Sequence, residues 1–116
     1  MRMFILLSRF QQPFEEIHPF LAAHSAWVQS HYESGRFLVS GRQEPAVGGV
    51  IVARAESEQE LREILDLDPL QQMGLAVYEI ITFEAADFPK RSQAFDRFAT
   101  QPLQEPPATA DTQPRG

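Results

Sequence analysis

Two segments of this chain are apolar at nearly every position, and they constrain its fold more than anything else in the sequence. One is Met3-Phe4-Ile5-Leu6-Leu7; the other runs from Gly74 to Phe83. Successive side chains of a strand point to opposite faces. The second segment therefore presents Leu75, Val77 and Ile81 on one face and Ala76, Tyr78 and Ile80 on the other. A strand that is apolar on both faces has to be covered on both, so each segment reads as the interior of a layered structure.

The chain between them supplies the layers. Gln11, Gln12 and Pro13 break the first strand, and a helix is expected to start between Pro13 and Pro19, since proline is tolerated in a first turn. Phe20, His24, Trp27, Val28 and His31 recur at three- and four-residue spacing and define one helix face. Gly35 is the expected stop. Phe37 to Gly41 and Val50 to Ala53 read as an antiparallel pair joined by the turn chemistry of Gln43 to Gly49. Gly48-Gly49 reads as a hairpin turn and not as a phosphate loop, because no helix start follows it. Ser57 with Glu60 three residues later is a capping box, and Leu61, Ile64 and Leu65 give the second helix its apolar face. Asp68 before Pro69 ends that helix.

The order is β-α-β-β-α-β, the ferredoxin-like split βαβ arrangement. It implies an α+β protein with a four-stranded antiparallel sheet whose helices cover one face. The other face of the sheet would stand bare in a single chain, and monomers rarely expose so large an apolar patch. A homodimer with two sheets packed face to face follows as the expected assembly. The domain is expected over residues 1–89, a short helical extension with Phe95 and Phe98 as its contacts over 90–100, and a flexible tail over 101–116, where Pro, Gln, Thr and Ala leave few apolar anchors.

Composition narrows the functional classes. A chain of 116 residues holds one core. With no cysteine there is no disulfide, zinc-thiolate site or thiol nucleophile, which fits a cytoplasmic setting. The five-residue apolar run near the N-terminus is too short for a signal peptide, and nothing else reads as a membrane span. A net charge of −6 argues against nucleic acid as partner. The acid from Glu56 to Asp68 reads as a solvated helix face.

Two residues stand out chemically. The imidazole of His24 can take or give a proton. Asp68 can hold one ring N–H and stabilise the imidazolium. The β-α-β-β-α-β order lets the two meet at one mouth of the sheet. Each also has a plain structural use: a packed core histidine, and an N-cap with Pro69 at the first helical position. A catalytic His24 should face a concave site with one nitrogen free; a structural one should have both nitrogens engaged or be sealed by Trp27 and Leu70. Ser40 offers a hydrogen bond to a ligand, and Arg42 and Arg36 are the available cations, Arg36 being expected as a solvated residue. Trp27, Phe20 and Phe37 are expected mainly in the core. His24 and His31 lie two turns apart, about 10 Å, too far for one metal ion, so no metal and no cofactor is expected.

The opening strand, Ala23-His24-Ser25-Ala26-Trp27, Gly35 to Gly41, Ser57 to Leu65 and Asp66-Leu67-Asp68-Pro69-Leu70 before Gly74-Leu75 together resemble the YciI-like (YCII-related domain) family of the dimeric α+β barrel group. The likeness covers roughly Met3 to Phe88. It implies a sheet-mediated dimer and a His/Asp-centred site, here His24 and Asp68, with Ser40, Gly41, Arg42 and Trp27 as candidate ligand contacts. It further implies acid/base chemistry of lyase, dehalogenating or isomerase type on a small organic molecule. The rival reading is a non-catalytic ligand-binding or homodimeric accessory module. Many relatives carry an arginine one turn before the histidine and Gly-Pro after the second strand; here those positions read Phe20 to Ala23 and Gly41-Arg42.

Overall fold

A computed structural model describes residues 1–104; residues 105–116, most of the expected tail, lie outside the described residues. The elements are β1 (Arg2–Phe10), α1 (Phe14–Ile17), α2 (Leu21–Glu33), β2 (Phe37–Arg42), β3 (Gly49–Ala55), α3 (Glu58–Leu65), α4 (Pro69–Gln72), β4 (Ala76–Phe83) and α5 (Gln93–Thr100). The stretch between Pro13 and Pro19, where the helix is expected to start, holds a separate short helix, α1. His18–Phe20 forms a 3-10 turn between α1 and α2. Pro19 has no N–H to give to the α-helical ladder, so the chain tightens locally around it.

Gly35 closes α2 with φ 86°, and its N–H and that of Arg36 bond back to Tyr32 and His31 at 3.1 and 3.0 Å. That pairing is a Schellman cap, which needs the left-handed residue glycine supplies. Ser57 caps α3 by accepting from the Glu60 N–H at 3.1 Å. The Glu60 carboxylate, expected to reach back to the cap, instead pairs with Arg36 at 2.7 Å. Arg36 is thus an ion-pair residue rather than a solvated one.

The sheet order is β2-β3-β1-β4, all antiparallel. Leu6 stands opposite Ile51 and Ile80, and Ile5 opposite Val52 and Ile81. The Leu6 row faces the helices, where Phe4, Leu6, Phe37, Ile51, Leu61 and Leu65 form the core. A second cluster of Ile17, Leu70, Leu75 and Ala76 closes one end of the sheet. The Ile5 row faces away from the core, and on that side Val39, Val77 and Ile81 are 52%, 51% and 42% exposed.

The last element attaches to the far end of this open face. Ser92 caps α5 through the Ala94 N–H at 3.1 Å, and Phe98 is buried. Arg54 is buried too. Its guanidinium donates to Gly35 O and Ala99 O, both at 3.0 Å, and to Gln101 O, and it lies 5.0 Å from the Phe98 ring centre. Carbonyls at the end of a helix carry partial negative charge, so among the described residues carbonyls alone hold this cation. The Gln104 N–H bonds Ser34 O at 2.8 Å, so residues 101–104 of the expected tail are tied to the domain.

Candidate functional site

Three elements converge where α2 passes the end of β4. Asp68 caps α4, accepting from the Leu70 N–H at 3.1 Å with Pro69 behind it. Its carboxylate is fully buried, although the sequence groups it with an acidic, solvated run. The His24 Nδ1 lies 2.8 Å from Asp68 Oδ1, and the Tyr78 hydroxyl donates to Oδ2 at 2.7 Å. A buried carboxylate is costly unless its oxygens are hydrogen-bonded, and here both are. Burial, and then the Asp68 charge, push the Tyr78 hydroxyl far above the usual phenol range. It therefore keeps its proton and stays a donor.

An ionised carboxylate can only accept. It fixes the His24 proton on Nδ1 and leaves the Nε2 lone pair available in the neutral ring. Among the described residues Nε2 has no hydrogen-bond partner, and the His24 side chain is 22% exposed. His24 borders a cavity of about 630 Å³ between α2, β2, β3 and the β2–β3 hairpin. Phe10, Leu21, Val28 and Leu70 make its walls mainly apolar, and Ser40, Gly41 and Arg42 line it from β2.

Trp27 does not line this cavity. Its ring meets Phe37 at 5.4 Å and His31 at 5.3 Å, edge to face. Residues 24, 28 and 32 share one row of α2, whereas 27 and 31 lie on the next row. His24 and Val28 of the first row line the cavity, and Trp27 and His31 of the second pack on Phe37 in the core. The sequence places Tyr78 on a strand face beside Ala76 and Ile80 and does not name its role. The available signal was a hydroxyl on the helix-covered row of a strand, which needs a partner once buried. Nothing in the sequence said which.

His31 is buried between Trp27 and Phe37, and burial, followed by the Arg36 charge, pulls its pKa from 6.5 down to about 4. The unfolded chain therefore binds a proton between those values that the folded one refuses. His31 contributes fully to stability above pH 6.5, and that contribution is lost progressively as the pH falls toward 4. The loss amounts to about 3 kcal/mol. Urea titrations at pH 7.5 and 4 should show it, and His31→Leu should lose distinctly less stability over that interval. An identical acid loss in that variant would refute the assignment. Among the described residues, no three His, Cys, Asp or Glu groups stand together to hold a metal ion, and no helix is long and apolar enough to cross a membrane.

An antiparallel sheet with α2 and α3 on one face, and a histidine held by a buried carboxylate at an apolar cavity, define a small α+β protein of ferredoxin-like arrangement. The chain belongs to the YCII-related domain family, which it matches over residues 1–84. Among solved structures it is similar in fold to the 5-chloro-2-hydroxyhydroquinone dehydrochlorinase of Burkholderia phenoliruptrix AC1100 in complex with 2,5-dihydroxybenzoquinone. The TM-score is 0.62 at 17% identity, with 72% of this chain and 95% of that one covered. No curated protein matches the sequence.

Proposed function

We propose that this protein is a small-molecule enzyme in which His24 is the general acid/base and Asp68 holds and electrically supports its ring. The observation that carries the proposal is the 2.8 Å contact between Nδ1 and a fully buried carboxylate, with the other ring nitrogen unbonded among the described residues beside an apolar cavity. This is the arrangement a proton-transferring imidazole needs. The chemistry it supports is removal of a proton from carbon and its return elsewhere, as in isomerisation, or expulsion of a leaving group, as in dehydrohalogenation. Ser40, Gly41 and Arg42 are the proposed ligand contacts. The fold shared with a dehydrochlorinase supports a substrate among small ring compounds.

The test is proton exchange at carbon. 5-Chloro-2-hydroxyhydroquinone in D₂O, followed by NMR and by chloride release, should react faster with the protein than without it. Rates equal to background would leave a ligand-binding module as the better reading.

The assembly proposed with this site is a homodimer through the open sheet face. Val39, Val77 and Ile81 lie exposed there, beside the Ile5–Val52 row, and lone chains seldom leave such a band in water. Sedimentation at micromolar concentration should give a dimer, and Ile81→Lys should give a monomer; a monomeric wild type would refute the proposal. A cysteine-free chain fits the cytoplasm as its compartment.

A further inference from the structure

We infer that the hydroxyl pair of Tyr32 and Ser40 is the oxygen-holding pole of the cavity. Ser40 touches a carbonyl oxygen of the bound molecule, and Tyr32 acts through Ser40 as a positioning residue. The inference rests on His24 being the base, and it adds where the displaced electrons go. When a proton leaves carbon for Nε2, the electron pair of that C–H bond moves to the conjugated oxygen. Charge developing there needs a fixed hydrogen-bond donor in a water-poor place.

Tyr32 Oη and Ser40 Oγ are 2.6 Å apart. Both side chains are half-buried, Ser40 lining the cavity and Tyr32 packing against the core with its ring edge-on to Phe37 at 6.5 Å. A phenol anchored in this way holds the serine hydroxyl in one place. When Tyr32 donates to Ser40, the serine proton is free for a ligand, and donors in a chain strengthen one another. The other polar side chains on the lining that belong to α2 or the hairpin, Ser25, Gln29 and Arg42, are exposed, so water competes for them.

The spacing fits a single ring. His24, Val28 and Tyr32 lie at four-residue intervals on one row of α2. Their Cα atoms span about 12 Å along the axis. Val28 lines the cavity between the two poles. The ligand class is therefore a flat, one-ring molecule with its acidic C–H at His24, an apolar middle over Val28, and a carbonyl or enolic oxygen at Ser40. No covalent bond to Ser40 forms; its proton is shared with the oxygen and stays with the serine when product leaves.

The probe is 2,5-dihydroxybenzoquinone, a flat ring with enolic oxygens, titrated through its own absorbance. Ser40→Ala and Tyr32→Phe should each weaken its binding about tenfold. The double variant should bind no worse than Ser40→Ala alone, because Tyr32 acts only through the serine. Melting temperatures should stay close to wild type, since Tyr32→Phe keeps the ring in the core. Unchanged affinity in Tyr32→Phe, additive losses, or no binding by the wild type would overturn the inference. Carbon exchange separates it from the reading beneath it. Wild-type exchange in Ser40→Ala with none in His24→Ala removes the oxygen pole and keeps the base; wild-type exchange in His24→Ala removes the base.

Discussion

Turnover should fall about 10³-fold in His24→Ala, through loss of the proton acceptor, and about 10²- to 10³-fold in Asp68→Asn. The second result follows from the hydrogen bonds around the carboxylate. Oδ1 accepts from both His24 and Leu70, whereas among the described residues Oδ2 accepts only from the Tyr78 hydroxyl. The asparagine oxygen will therefore take the Oδ1 position, where two donors demand it. Its NH₂ will face Tyr78, whose oxygen can turn to accept. The cap of α4 and the Nδ1–H tautomer both survive, and only the negative charge behind the imidazolium is lost. Nitrogen NMR of His24 should accordingly show the same tautomer in Asp68→Asn and wild type, with melting little changed and the rate sharply reduced. A variant that works at the wild-type rate would show that the carboxylate merely caps a helix.

Gly48→Ala should destabilise the fold by about 3 kcal/mol, lowering the melting temperature by roughly 10 °C. A Cβ at Gly48 would lie 1.8 Å from the carbonyl oxygen of Ser8 and 3.0 Å from the Arg9 Cα. These are backbone atoms of β1, held there by pairing with Tyr78 and Val77 of β4, so they have little room to move. The hairpin would have to lift instead. That would strain the bonds fastening it to β1, namely Phe10 N–H to Val47 O and the Gln43 amide to Ser8 O, both 2.8 Å. The same hairpin walls the cavity, so ligand binding should weaken with stability. Gly41→Ala is the control: its Cβ meets nothing within 4 Å and should shift melting by little. Equal melting of the two variants would refute the packing argument.

What was legible in the sequence and what was not divide along a physical line. The strand order, the cap at Ser57 and the stop at Gly35 come from local chemistry and periodicity, and each needs only a few neighbouring residues. The start of the regular helix near Pro19 had its cause in view, whereas the separate short helix α1 before it did not follow from the proline. Other features depend on which elements meet. Trp27 and His24 share one helix face by spacing, yet one faces the core and the other the cavity, because a step of three residues moves to the next row. Glu60 reaches Arg36 instead of its own cap, and Gly48 is needed because β1 passes beneath it. The partners of Tyr78 and Tyr32 are fixed by strand pairing and helix placement, which no short window of sequence contains.

The clamp at Arg54 bears on where this protein begins and ends as a unit of folding. The family likeness stops at residue 84, but two of the three carbonyls that hold the Arg54 guanidinium belong to Ala99 and Gln101. A chain cut at the family boundary would carry a charge built for enclosure and stripped of most of its cage. Domain as recognised by likeness and domain as defined by stability are therefore different lengths of this polypeptide. Residues up to Gln104 are a working part of the fold, and anyone excising the family core alone should replace Arg54 as well.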